Sequence, residues 1–182
     1  HSSYLEEEES GGNTNSGPAF PVFADNARAF PGAVGYGRNS EGARASNARE
    51  VYVVTNTNNS GTGSLREAVS QPGRIIVFNV EGKIDLNKKI LVFLSNQTVL
   101  CQTAPAPGIV LYNGRVSSSG ANNVIIRYLR MRAGRQVDGA DEIDAGGAAH
   151  GHDQIYDHCS FTWATDENFS FNNEKQSKSL YN

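Results

Sequence analysis

Apolar residues along this chain come in short runs broken by glycine, asparagine and serine. Val51-Tyr-Val-Val54, Ile75 to Val80, Ile90 to Leu94, Thr98 to Cys101, Gly108 to Tyr112, Val124 to Met131, Gln154 to Tyr156 and Phe169 to Phe171 each predict a strand. After Gly82, Ile84 and Leu86 follow at the period of two that a half-buried strand needs. One segment departs from this pattern. Ser64-Leu-Arg-Glu-Ala-Val69 predicts a short helix, because a serine N-cap followed by Glu67 forms a capping box.

No long helical pattern separates the strands, which argues against a doubly wound sheet. A weak repeat is also present. Asn96-Gln-Thr-Val99, Asn122-Asn-Val-Ile125 and Gly151-His-Asp-Gln-Ile155 each set a polar turn before a strand. They recur roughly every 25 to 30 residues, the span of one solenoid coil that buries its face against its neighbours. A sandwich with long loops also gives spaced short strands, so the pattern alone leaves both open.

The 182 residues are 38% hydrophobic and 19% charged, with 19 glycines, a balance tilted towards turn-rich β structure. The net charge of -3 supplies no basic field for nucleic acid, and no apolar run is long enough for a membrane span. The opening stretch HSSYLEEEESGGNTNSG reads as a solvated acidic leader over 1–19, disordered and following any export signal that has been removed, with ordered chain from near Phe20. Cys101 and Cys159 make no disulfide framework and read as small core residues, while a bond between them on nearby coils stays open because the sequence does not place their Cα atoms.

Several segments resemble the pectate lyase family (polysaccharide lyase family 1). They are Ala29-Phe-Pro-Gly-Ala-Val-Gly-Tyr-Gly37, Val51-Tyr-Val-Val-Thr-Asn56 with Gly61-Thr-Gly-Ser-Leu-Arg-Glu-Ala68, Arg74-Ile-Ile-Val-Phe78 with Gly82-Lys-Ile84, and Gln102-Thr-Ala-Pro105 with Gly108-Ile109. Val124-Ile-Ile-Arg-Tyr-Leu-Arg-Met-Arg132 and Ile155-Tyr-Asp-His-Cys-Ser-Phe-Thr-Trp163 resemble two central coils. The motifs follow in the family's order from Phe30 to Phe171. The resemblance implies an all-β fold, a right-handed parallel β-helix with a short N-terminal cap helix. Residues 20–182 would be the N-terminal part of that single domain. It further implies a secreted, calcium-dependent enzyme that cleaves polygalacturonate by β-elimination.

Such an elimination needs the C6 carboxylate neutralised, the C5 proton removed and the C4 oxygen released. A hard cation such as Ca2+ takes carboxylate oxygens and bridges protein to substrate. Glu142-Ile-Asp144 offers two acids whose i, i+2 spacing points both outward from a strand. In the resemblance this pair stands a fixed step before the Asp157–His158 motif, and Asp166 follows on the next coil. Glu142, Asp144 and Asp166 are therefore the expected metal ligands. Glu167 is a weaker candidate because strand neighbours face opposite sides, and Asp138 and Asp141 read as loop residues. Away from the resemblance, these acids read as a solvated strand face.

Asp157 and His158 look like a catalytic dyad, yet the resemblance implies a structural pair that ties neighbouring turns. His150, His152 and His158 lack the spaced Cys/His set of a zinc site. The family's arginine base falls after the Asp-His coil, where this chain has no arginine, and Arg127, Arg130, Arg132 and Arg135 match no catalytic position. The expectation is a fragment that carries metal ligands, with the catalytic arginine and the C-terminal remainder of the β-helix beyond Asn182. Two alternatives stay open: a β-helix that only binds pectin, and a metal-independent β-helix glycosidase working through paired carboxylates.

Overall fold

The computed structural model describes residues 27–134 and 143–172. Within them the strands show one repeated habit: alternate side chains are buried. In β2 (Arg74–Phe78) the buried positions are Arg74, Ile76 and Phe78, and in β6 (Ile109–Tyr112) they are Ile109 and Leu111. A strand of this kind has only one apolar face, and stacking it on a copy of itself is the economical way to hide that face.

The chain does this in three parallel sheets. The first has the order β1 (Glu50–Val54), β2, β5 (Gln97–Leu100), β8 (Asn122–Arg127), β11 (His152–Asp157). The second stacks β3 (Gly82–Asp85), β6, β9 (Arg130–Arg132) and β12 (Ser160–Thr162). The third stacks β4 (Ile90–Val92), β7 (Arg115–Ser117), β10 (Gly146–Ala149) and β13 (Ser170–Asn172). Three successive strands make one coil, and each strand pairs in parallel with its equivalent on the next. The result is a parallel β-solenoid of about four turns. Sequence spacing had left a sandwich open; the parallel pairing excludes it, since a sandwich is built from antiparallel sheets.

Register turns the alternation into continuous internal columns. Ile76, Val99, Ile126 and Tyr156 lie on one another through the first sheet, and Leu111 and Met131 pair through the second. Burying one such side chain stabilises the fold by about 1.5–3 kcal/mol before entropy is subtracted. The helix α1 (Leu65–Ala68) is a single turn, started by Ser64, whose hydroxyl accepts the Glu67 N–H at 3.2 Å. It sends Leu65 and Ala68 into the same core.

The first sheet is covered outside as well as inside. Ile125 and Ile155 point away from the main core into a second cluster with Ala29, Ala33 and Phe30. That is why Val124, Ile125 and Ile126 are all buried in succession, which simple alternation forbids. Gly37 permits this cover, because a Cβ there would stand 2.1 Å from the Gln154 carbonyl oxygen.

Corners carry the remaining regularity. Asn96, just ahead of β5, and Asn123 and Asp153, the second residues of β8 and β11, all have left-handed backbone, with φ of 60°, 54° and 52°. Asparagine and aspartate tolerate this conformation better than other non-glycine residues. The run Val124 to Met131, read from sequence as one strand, is two: Tyr128 at φ 58° turns the chain between β8 and β9. Strands β7, β10 and β12 were not foreseen, being three or four residues long and, in β10, made only of glycine and alanine. The leader over 1–19 and the proposed start near Phe20 lie outside the described residues.

Candidate functional site

The outward face of the third sheet is floored by small side chains. Val92, Ser117, Gly147 and Ser170 succeed one another across it in register. Arg115, Ser117, Ser119, Gly147, Ser170 and Asn172, with Asp144, line a cleft of about 150 Å³ on this face. Arg115 makes no ion pair among the described residues. Ser117 and Ser119 are joined by their hydroxyls at 3.1 Å, and Ser119 Oγ also accepts the Ala149 N–H at 3.1 Å.

Asp144 enters the cleft just before β10. Its neighbours Ile143 and Ala145 hydrogen-bond across to the next coil. The Thr165 N–H donates to the Ile143 carbonyl at 3.2 Å, and the Ala145 N–H donates to that of Glu167 at 3.1 Å. Asp144 and Asp166 are thus the middle residues of two adjoining three-residue segments. Asp144 Oδ1 accepts the backbone N–H of Glu167 at 3.3 Å. Asp144 is half-buried and Asp166 exposed. Glu142, the remaining expected ligand, lies outside the described residues, as do Asp138, Asp141 and Arg135. Among the described residues no three His, Cys, Asp or Glu side chains gather around one point. The donor set on these two coils is nevertheless all oxygen, from Asp144, Asp166 and Glu167, which suits a hard cation and not zinc.

Asp157 and His158 sit elsewhere, at the corner between the first and second sheets. Asp157 is buried; its Oδ2 accepts Arg127 Nε–H of the preceding coil at 2.6 Å, and its Oδ1 meets His158 Nδ1 at 2.8 Å. The His158 ring stacks on Tyr128 of the preceding coil, with centroids 4.8 Å apart and planes at 14°. His152 Nδ1 lies 2.7 Å from Asp153 Oδ2 on the outside of the solenoid. Cys101 and Cys159 are free thiols. Burial pushes the Cys159 thiol up to about 12, and burial raises that of Cys101 too.

Arg115 and Ser117 went unnoticed in the sequence because they flank a single apolar residue after an Asn113-Gly114 turn. The polar–apolar–polar step Arg115-Val-Ser117 was the only available sign.

Sequence comparison now bears on this arrangement. The chain is 48% identical over 155 residues to the probable pectate lyase C of Aspergillus flavus, covering 85% of this chain and 35% of that protein. The probable pectate lyase C of Aspergillus oryzae matches at the same identity and coverage. This chain is a sequence relative of the probable pectate lyases. That of Emericella nidulans is 47% identical over 143 residues, covering 78% of this chain and 32% of that relative. The chain spans about a third of the length of the pectate lyase relatives it matches. No family model matches it. Among solved structures, the cedar pollen allergen jun a 1 superposes with a TM-score of 0.55 at 21% identity, over 76% of this chain and 44% of that one. That likeness is one of fold.

Proposed function

We propose that the protein to which this chain belongs is a secreted, calcium-dependent pectate lyase that cleaves polygalacturonate by β-elimination at the cleft on the third sheet. The single observation that carries the reading is the meeting of Asp144 and the Thr165–Glu167 segment on adjoining coils beside a groove floored by Ser117, Gly147 and Ser170. The identity to probable pectate lyases across most of the chain supports the reaction class.

Asp144 and Asp166, with Glu142, would hold the cation. Calcium held there would neutralise the substrate carboxylate and so make the C5 proton more acidic. Glycine and serine on the floor let a flat polymer approach the backbone, and the hydroxyls of Ser117 and Ser170 offer donors to sugar oxygens. Arg115 supplies a fixed positive charge for a neighbouring uronate carboxylate. The proton would leave C5 to the arginine that the family resemblance expects after the Asp157–His158 coil, and the chain spans only about a third of its relatives' length. Asp157 and His158 would brace the coil carrying this machinery.

Ultraviolet absorbance of the unsaturated product, followed with polygalacturonate in calcium and then in chelator, tests the reading on the intact gene product. Product that appears with calcium and stops with chelator supports it. Absence of product at every calcium level leaves a binding protein, and product indifferent to chelator points to a metal-independent enzyme.

A further inference from the structure

The second sheet presents an outward row of side chains that the cleft on the third sheet does not use. Lys83 of β3, Val110 and Tyr112 of β6, Arg132 of β9 and Trp163, which follows β12, line one shallow concavity of about 360 Å³. They come from four successive coils: Lys83 pairs with Val110, Tyr112 with Arg132, and Arg132 with Thr162, the residue before Trp163. Parallel strands lie about 4.8 Å apart, so the row runs about 15 Å along the solenoid axis.

Two features of the row ask for a ligand. Trp163 is 71% exposed and Tyr112 37%, and large rings are seldom left in water without use. Trp163 also holds left-handed backbone at φ 63°, a conformation that costs a bulky residue energy, while its carbonyl accepts the Gly134 N–H at 2.9 Å. The second feature is charge. Lys83 and Arg132 have no carboxylate partner among the described residues, in a chain whose net charge is -3. Arg132 Nη1 is held by the Ser160 carbonyl at 3.2 Å and hydroxyl at 2.9 Å, which fixes the guanidinium in place. Asp85, beside the row, is already engaged by the Asn87 N–H at 2.7 Å, by Asn113 Nδ2 at 2.8 Å and by the Tyr112 hydroxyl.

We propose that this face binds an acidic polysaccharide laid along the solenoid axis. Tyr112 and Trp163 stack on sugar rings, and Lys83 and Arg132 pair with the carboxylates of the chain. Charge complementarity selects this occupant, because a neutral glycan gains nothing from two cations that no described carboxylate pairs, and a basic partner is repelled by them. The choice of a polyuronate as the polymer rests on the proposed function; the site itself does not. Its role is to hold polymer beside the cleft without touching the reacting bond.

Retardation of the complete protein in gels cast with polygalacturonate, run in chelator to silence the calcium site, is the test. Trp163→Ala and the pair Lys83→Ala with Arg132→Ala are expected to weaken retention at least about fivefold, and Trp163→Phe to keep most of it. Melting curves of the three variants check their folding. Equal retention of Trp163→Ala and the double variant overturns the proposal, and so does equal retention in neutral dextran, which removes the selectivity for acid. A protein that makes no unsaturated product yet keeps chelator-resistant, Trp163-dependent retention refutes the lyase reading alone. Calcium-dependent product without such retention refutes this one alone.

Discussion

Arg127 and Asp157 face each other across adjoining coils, the Nε–H of the first meeting Oδ2 of the second at 2.6 Å. The Phe30 ring lies 3.9 Å from the guanidinium carbon and closes the pair from outside. A motif that invites a catalytic reading is therefore engaged on both carboxylate oxygens, since the other takes His158 Nδ1. Its side chain is 6% exposed and that of Arg127 22%, so the pair is sheltered from solvent and from salt.

Asp157→Asn is accordingly expected to cost about 2–3 kcal/mol, since it strands a shielded arginine. For a chain of this size that corresponds to a melting temperature roughly 5–10 °C lower. Calorimetry of the variant checks it. Unchanged melting with lost activity would assign Asp157 to chemistry.

Asp144→Asn is expected to raise the calcium concentration needed for half-maximal product formation by at least about tenfold, with little change in melting without calcium. Titration of activity against calcium checks it. An unaltered calcium dependence would remove Asp144 from the metal site.

Gly147 and Gly37 separate the cleft from the scaffold. A Cβ at Gly147 would find its nearest neighbour, the Ser170 carbonyl oxygen, at an ordinary 3.5 Å, whereas at Gly37 it would collide with the Gln154 carbonyl. Gly147→Leu should raise KM and leave melting nearly unchanged. Gly37→Ala should cost about 1–3 kcal/mol and leave KM alone. Arg115→Ala should behave as Gly147→Leu does, through lost attraction instead of steric block. Steady-state kinetics beside thermal melts decide each case.

Cys159 gives a pH prediction. Its thiol is raised by burial from 9.0 to about 12, so the folded state favours the protonated form. The stability this lends is fully present below about pH 9 and is lost as pH rises from there towards 12. Cys159→Ala should flatten the fall in denaturation midpoint over that window. The native thiols should also react slowly with a thiol reagent at pH 8, and fast labelling would contradict their burial.

How much of this was readable in sequence depended on what each segment had to bury. Runs such as Arg74 to Phe78 and Ile109 to Tyr112 carry their alternation openly, because one face meets the core and the other meets water. Strand β10 does not, since Gly146 faces inward against Phe161 and Phe169 and must be small, and Ala148 is buried in the same core. The Tyr128 corner was hidden inside the run Val124 to Met131, which has no Gly, Pro or Asn to mark a turn, because it is held by stacking on His158, a contact with the next coil and not with sequence neighbours. The acids were visible as a pattern, and Asp144 does meet the following coil, through Glu167 N–H. Arg115 was invisible because only the cleft it shares with Gly147, three strands later in the chain, singles it out, and no motif of its own does.

The corner that carries Tyr128 and His158 joins β8 to β9 and β11 to β12 with the same short step on both coils. The path from β9 to β10 and that from β12 to β13 differ in length, from Arg132 to Gly146 and from Thr162 to Ser170. Insertions at the first corner would unstack every coil beneath it, whereas the second can lengthen while the sheets stay in register. A lineage could therefore remodel only the second edge, the one that carries Asp144 and Asp166, and inherit the scaffold whole.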